Sequence, residues 1–320
     1  MGETKQMAHE DRAVNRVLSQ GIALRCPCCG ADVDELTCVR CDFHMRVNNG
    51  IVHALPPERA AHYARFIADY ESIRAAEGRG SIDKDFYLSL PYADKTGRNS
   101  LQWEIRSKSY DYLIRSVLKP LHGHGTILDL GSGNCWMSYR LALQRLKPVA
   151  VDLLTNEHDG LGAAAYYEPY LETSIPRFQA EAINLPFQNE QFDAIIFNAS
   201  FHYAEDYQST LREAFRCLKP GGMVVVSDTP WYSSEESGRR MVAERKAQFR
   251  RRFGTASDSV KSLEYLTDVR LRALEKMLSI RWTSYTPWYG WKWAMRPLSA
   301  MLRCRREPSR FRIYVARKNA

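Results

Sequence analysis

Two groups of residues have the types and spacing to do chemistry. The first begins at Asp129-Leu130-Gly131-Ser132-Gly133, which closes the apolar run Thr126-Ile127-Leu128, and continues at Asp152, the end of Pro148-Val149-Ala150-Val151. Gly-x-Gly behind an acidic residue, with a second acidic residue about twenty positions past Gly131, has the parts of a nucleoside-cofactor site. The glycines let backbone approach a ligand, and the later carboxylate takes ribose hydroxyls. A dinucleotide fingerprint asks for a third glycine where helix and strand pack closely; Trp136 stands there, which disfavours NAD and FAD. The second group is the run of cysteines from Cys26 to Cys41. Cys26-x2-Cys29 and Cys38-x2-Cys41 are two knuckles, the four-thiolate set that zinc takes in a tetrahedron. Cys28 and His44 are alternative ligands. Disulfides are disfavoured because Met1 to Gln20 is polar and charged, unlike a secretory signal. A metal also explains how so short a segment folds without a core of its own.

These groups need elements to hold them. Thr126 to Leu130 reads as a strand, Cys135 to Arg145 as a helix and Pro148 to Val151 as a second strand, the opening of a βαβ unit. Gly30 to Thr37 reads as a short hairpin between the knuckles, and Pro56-Pro57 closes the cysteine segment. Glu58 to Glu77 sets Tyr63, Phe66, Ile67, Tyr70 and Ile73 on one stripe, so it is an amphipathic helix. Ser81 to Asn99 reads as a long aromatic loop, either a lid or a mobile connection. Ser100 to Lys119 is helical, with Tyr110 either in the core or against the cofactor. The expected divisions are a tail (1–20), a zinc ribbon (21–57), a helical cap (58–120) and an α/β domain (121–320).

The spelling Leu128-Asp129-Leu130-Gly131-Ser132-Gly133 resembles motif I of the class I S-adenosylmethionine methyltransferases. Ala180-Glu181-Ala182 with Leu185-Pro186-Phe187 resembles that family's acidic loop. Phe192 to Ala199 resembles its fourth strand, and Leu211 to Gly222 its helix and "Leu-Lys-Pro-Gly-Gly" turn. The spelling is most similar to the branch that holds the ubiquinone and menaquinone methyltransferases. The ribbon ahead of such a core resembles the arrangement in large-subunit rRNA guanine-N1 methyltransferases. The resemblance implies a Rossmann-like sheet of seven strands and S-adenosylmethionine as cofactor. Asp129 would then anchor the methionine end, Asp152 the ribose diol, and Glu181 with the Ala182 amide the adenine edge. Gly131, Ser132, Gly133, Leu153, Asn198 and Ala199 would line the same pocket. His202 would be either a general base or a packing residue.

At 320 residues the chain is long enough for about two domains, and no apolar run approaches the ~18 residues that span a bilayer, so a cytoplasmic protein is expected. The net charge of +8 is unevenly spread. From Trp231 onward there are 21 Lys and Arg against 8 Asp and Glu, a net of +13, which suggests an anionic partner. Within this region Trp288, Trp291 and Trp293 stand among basic residues between the last two expected strands, Ser279 to Thr286 and Arg310 to Ala316. They would wall the acceptor pocket, meet a lipid surface or stack nucleobases. The expected function is methylation of a small or lipid-like metabolite. The alternatives are RNA base methylation, with ribbon and basic segment on the phosphate backbone, and a non-catalytic binding module. Oligomeric state is not legible.

Overall fold

The computed structural model describes residues 21–319; the expected tail, Met1 to Gln20, lies outside the described residues. The strands among the described residues are β1 (Val33–Asp34), β2 (Thr37–Cys38), β3 (Arg46–Asn48), β4 (Ile51–His53), β5 (Thr126–Leu130), β6 (Lys147–Asp152), β7 (Arg177–Gln179), β8 (Phe192–Asn198), β9 (Leu218–Ser227), β10 (Thr283–Tyr285) and β11 (Ile313–Arg317). Among the described residues nine α-helices accompany them: α1 (Pro57–Ala76), α2 (Lys84–Ser89), α3 (Ser100–Tyr112), α4 (Trp136–Leu143), α5 (Tyr207–Cys217), α6 (Glu235–Phe253), α7 (Asp268–Leu278), α8 (Trp291–Ala294) and α9 (Arg296–Leu302).

One sheet runs in the order β10-β11-β9-β8-β5-β6-β7-β4-β3. Strands β5 to β9 are mutually parallel, and β11 turns antiparallel to β9. These and β10 are the seven strands expected of a Rossmann-like α/β fold. The reason is in the residues. Strand β5 is buried along its whole length, and β8 carries Ala194-Ile195-Ile196-Phe197 with both faces covered, as parallel strands require. The chain leaves β5 for β6 on one side, while β8 pairs on the other, so the order reverses at β5. The carboxyl ends there open a crevice for a ligand.

The sheet is longer than expected by two strands. The hairpin β3–β4, which follows the last cysteine knuckle, pairs β4 parallel to β7 and covers the sheet edge. The ribbon is also less self-sufficient than its length suggests. Ile22, Leu36, Met45, Val47 and Val52 are buried in one cluster with Leu128, Phe178 and Phe187 of the main core. Leu24 bridges Phe187, and Arg25 N–H donates to the Pro186 carbonyl at 3.2 Å.

Helix ends follow local chemistry. Asp206 caps α5 through Ser209 N–H at 2.7 Å, Ser234 caps α6 through Ser237 N–H at 3.1 Å, and Thr267 caps α7 through Arg270 N–H at 3.2 Å. Gly254 ends α6 in the left-handed conformation. The stretch Ser81 to Asn99, expected as a long loop, contains the helix α2. Phe86, Tyr87 and Leu90 are buried there, and α2 packs as a core element through them. Aromatic residues spaced without a clear period hid a short helix whose stability comes from tertiary burial.

Candidate active site and metal centre

At the carboxyl ends of β5, β6, β8 and β9 lies a cavity of about 490 Å³. Asp129, Gly131, Ser132, Gly133, Asp152, Leu153, Glu181, Ala182, Asn198, Ala199 and His202 all line it, so the structure brings the entire expected set together. The two glycines do different work. Gly131 has φ +80°, and a Cβ there would stand 2.2 Å from the Ser200 Cβ; Gly133 has φ +52° with nothing nearer than 3.6 Å. The first is required by space and conformation, the second by conformation alone. Asp152 ties the turn to the sheet, accepting from Gly133 N–H at 2.8 Å and from Leu154 N–H at 2.9 Å. Its carboxylate has about four acceptor sites and uses two, so it keeps capacity for a diol. Asp129 accepts from Ser138 Oγ at 2.7 Å. Burial pushes the Asp129 carboxyl up to about 7 and the Asp152 carboxyl up to about 6.

Glu181 is placed on the cavity wall, but its lone pairs are committed. Arg59 Nε reaches both carboxylate oxygens at 3.0 and 2.8 Å, Tyr63 OH donates at 3.1 Å and Asn184 Nδ2 at 2.9 Å. In this arrangement an adenine amino group finds no spare acceptor on Glu181, whose carboxylate instead fastens α1 over the cavity. Arg59 is not singled out in the sequence, and Tyr63, four residues on, stands there only as a member of the apolar stripe of this helix. Arg59→Ala leaves a buried carboxylate short of its main partner. It is expected to destabilise the fold by about 2 kcal/mol, readable as a lower urea midpoint at unchanged slope. An unchanged midpoint would mean that solvent replaces the guanidinium freely.

His202 does not have the near-neutral pKa that makes histidine a proton acceptor. Burial, then the guanidinium groups of Arg245 and Arg106, push it down to about 3, and its Nδ1 is buried without a partner. A neutral imidazole of that basicity is a packing or hydrogen-bonding group. Asp228, just past β9, is the stronger candidate. It lines the cavity, and its Oδ1 accepts from Ser109 Oγ at 2.5 Å. Ser109 Oγ also meets Tyr289 OH at 2.9 Å. Asp228 Oδ2 is buried and unpartnered, and burial pushes the carboxyl up to about 6. Arg106 lines the same space, its guanidinium 4.7 Å from the Trp103 ring centre. In the sequence Asp228 is signalled only by following the strand-like run Met223 to Ser227; nothing marks Ser109, Tyr289 or Arg106.

Residues 128–226 match the family described as "Methyltransferase domain". The chain carries a methyltransferase domain. The match begins in β5 and ends in β9, the strands that frame the cavity. Among curated relatives, a demethylmenaquinone methyltransferase of Staphylococcus saprophyticus is 39% identical over 56 residues, 18% of this chain and 24% of that protein. The enzyme of the same name from Corynebacterium efficiens is 28% identical over 154 residues, 47% of this chain and 63% of that protein. The chain thus spans less than two thirds of the curated relatives it matches. The solved YcgJ protein of Bacillus subtilis is 16% identical, covering 67% of this chain and 99% of that one with a TM-score of 0.48.

Ahead of the methyltransferase domain, Cys26, Cys29, Cys38 and Cys41 converge, with all four Sγ atoms within 4.8 Å of one another. Cys26 and Cys41 stand 3.6 Å apart, Cys29 and Cys38 3.4 Å. A tetrahedron with ~2.3 Å metal–sulfur bonds has edges of about 3.8 Å, so the donor set fits zinc. The N–H groups of Arg40 and Cys41 each point at Cys38 Sγ at 3.4 Å, outer hydrogen bonds of the kind that orient a metal-bound sulfur. Neither alternative ligand joins them: Cys28 is exposed outside the group, and His44 bonds Thr37 Oγ1 at 2.9 Å.

The aromatic–basic segment departs from one expectation. Trp288 and Trp291 face solvent and do not line the cavity of the methyltransferase domain. Trp293 stacks on Phe311 at 5.4 Å, and it is Phe311 that reaches the cavity. Tyr110 likewise packs on Trp136, at 5.7 Å, and is not among the lining residues.

Proposed function

We propose that this protein transfers a methyl group from S-adenosylmethionine to a small, largely apolar or lipid-like acceptor. The observation that carries this reading is the continuity of one cavity. It runs from the Gly131–Gly133 turn and Asp152 to a chamber walled by Tyr70, Trp103, Met241, Phe249 and Phe311. When bound, S-adenosylmethionine supplies an electrophilic methyl group on a sulfonium. Asp152 would hold the ribose diol, Asp129 the ammonium, and the Ala182 N–H, with Leu153, Asn198 and Ala199, the adenine. Helices α1 and α3 exclude water, and the aromatic chamber orients the acceptor for in-line attack. Where the acceptor atom bears a proton, Asp228 Oδ2 takes it, its carboxylate held by Ser109, which Tyr289 holds in turn. The divisions that suit this reading are ribbon (21–57), helical cap (58–120) and catalytic domain (121–320), with one structural zinc on Cys26, Cys29, Cys38 and Cys41. The relatives named as demethylmenaquinone methyltransferases support an acceptor of this class.

Incubation with methyl-labelled cofactor and fractionated lipid, metabolite and RNA pools tests the acceptor. Label in the lipid or metabolite fraction is the expected result; label confined to RNA would replace this reading by base methylation.

A pH dependence follows. Asp129 and Asp152 take cationic or hydroxyl donors best as carboxylates, and their pKa values lie near 7 and 6. The competent fraction falls about tenfold per pH unit below the pKa, so cofactor affinity is expected to rise from pH 5.5 to 7.5. Stability of the ligand-free protein runs the other way. Both folded pKa values exceed the ~3.9 of an unfolded Asp, so the native state binds more protons between about pH 4 and 7 and loses stability as pH rises through that window. Calorimetric affinities and ligand-free melting temperatures at four pH values check both slopes. Affinity flat across the range would mean that neither carboxylate meets the cofactor.

A further inference from the structure

Six of the fourteen exposed large hydrophobic residues among those described fall between positions 288 and 302: Trp288, Trp291, Met295, Leu298, Met301 and Leu302. Trp291 is 77% exposed, Leu302 74% and Met301 67%. Single exposed apolar side chains are ordinary; six within fifteen residues, four of them on two consecutive short helices, make a patch that marks an interaction site. The charge around it has one sign. From Ser279 to Arg306 there is no Asp or Glu, while Arg281, Lys292, Arg296, Arg303, Arg305 and Arg306 are all basic. Arg306 is matched by Glu244 at 2.8 Å. Lys292, Arg303 and Arg305 are exposed, and no ion pair involves them among the described residues.

We infer that α8, α9 and the turn before them form a docking surface for an anionic lipid bilayer, with the tryptophans at the headgroup layer and the basic side chains on lipid phosphates. The composition separates this from a nucleic-acid surface. Indoles and guanidinium groups serve both partners, but Met295, Leu298, Met301 and Leu302 have no stacking face and gain nothing from a hydrated phosphate backbone. They gain on entering the acyl boundary, where tryptophan also concentrates and where lysine and arginine reach back to the headgroups. Each basic residue near such a surface adds attraction that salt weakens. No helix among the described residues is long and apolar enough to cross a membrane, so the contact is peripheral.

The surface is joined to the cavity. Trp293 stacks on Phe311 of the cavity wall, and buried Tyr289 bonds Ser109, which holds Asp228. A lipid-like acceptor would therefore pass from the bilayer to the chamber along the wall that these side chains share. This inference rests on the lipid-like acceptor proposed above and names where that acceptor is met.

Flotation of the full chain with vesicles of phosphatidylcholine alone, or mixed with phosphatidylglycerol, tests it. Binding to the mixed vesicles is expected, at least tenfold tighter than to phosphatidylcholine and weaker at high salt. Trp291→Ser with Leu302→Ser should reduce it tenfold or more, and Arg303→Ser with Arg305→Ser should remove most of its salt dependence. All four side chains are exposed, so the fold tolerates the changes. Equal partition of wild type and variants overturns the inference. So does tight binding of single-stranded RNA lost in the same variants, or a dimer that the Trp291→Ser, Leu302→Ser pair dissociates. Cofactor affinity measured on the same samples separates the two readings. Cofactor bound without vesicle binding defeats the docking surface alone; no cofactor binding defeats the proposed function.

Discussion

Cys38→Ser is expected to remove about one zinc per chain and to unfold the segment from Ile22 to Ala54, the largest single effect anticipated here. Structural zinc in small knuckle peptides contributes about 10–16 kcal/mol at neutral pH. Part of that is retained in this protein, because Ile22, Met45, Val47 and Val52 also pack on the main core. The strands β1 and β2 are two residues each, too short to persist once the four Sγ atoms no longer share a ligand. The consequence should reach the sheet. Strand β4 follows the ribbon and pairs with β7, and Ala54 N–H donates to the Gln179 carbonyl at 2.9 Å. Amide exchange in β3, β4 and the edge of β7 should therefore accelerate together with the ribbon, while β5 and β8 stay protected. Elemental analysis and exchange mass spectrometry on wild type and variant provide the readout. A ribbon that stays protected after the metal is stripped would show that core contacts alone hold it.

Asp152→Ala should weaken S-adenosylmethionine by about 2–3 kcal/mol, or roughly 30- to 150-fold in Kd. The carboxylate does two jobs at once. It would accept the ribose hydroxyls, and it holds Gly133 N–H and Leu154 N–H, which fixes the loops on either side of the ribose position. Asp152→Asn keeps one carbonyl oxygen and replaces the other with a donor that faces an amide N–H. It is expected to lose affinity too, by less than the alanine variant, since one loop contact survives. Isothermal calorimetry on both variants, with circular dichroism as a check on folding, distinguishes these outcomes. Cofactor affinity unchanged in Asp152→Ala would place the ribose elsewhere in the cavity.

The core of this fold is written in local patterns. Thr126 to Leu130 is strand because five consecutive residues are apolar or buried-polar and end at Gly131, and β5 has those bounds. The two knuckles foretold the four-sulfur cluster because their spacing alone brings sulfur pairs together. Asp129, Asp152 and the Gly-rich turn could be assigned to one pocket because a parallel sheet delivers all its carboxyl ends to one edge. Such features depend on a few neighbouring residues and on topology rules, so they survive translation from one dimension to three.

Other features depend on who meets whom across long separations, and a single sequence carries no mark of that. Glu181 looks free to read adenine until Arg59, 122 positions earlier, is found on its oxygens. His202 looks like a base until burial and two guanidinium groups lower its pKa. Asp228 looks like the end of a strand until Ser109, 119 residues before it and itself bonded to Tyr289, is found on one oxygen while the other is left without a partner. Trp291 and Trp293, two apart in the chain, part company. One is turned to solvent and the other is stacked on Phe311, because a short helix points such neighbours to different sides. Reactivity here is set by desolvation and by partners brought from distant segments. Those are properties of the packed chain, which no local pattern encodes.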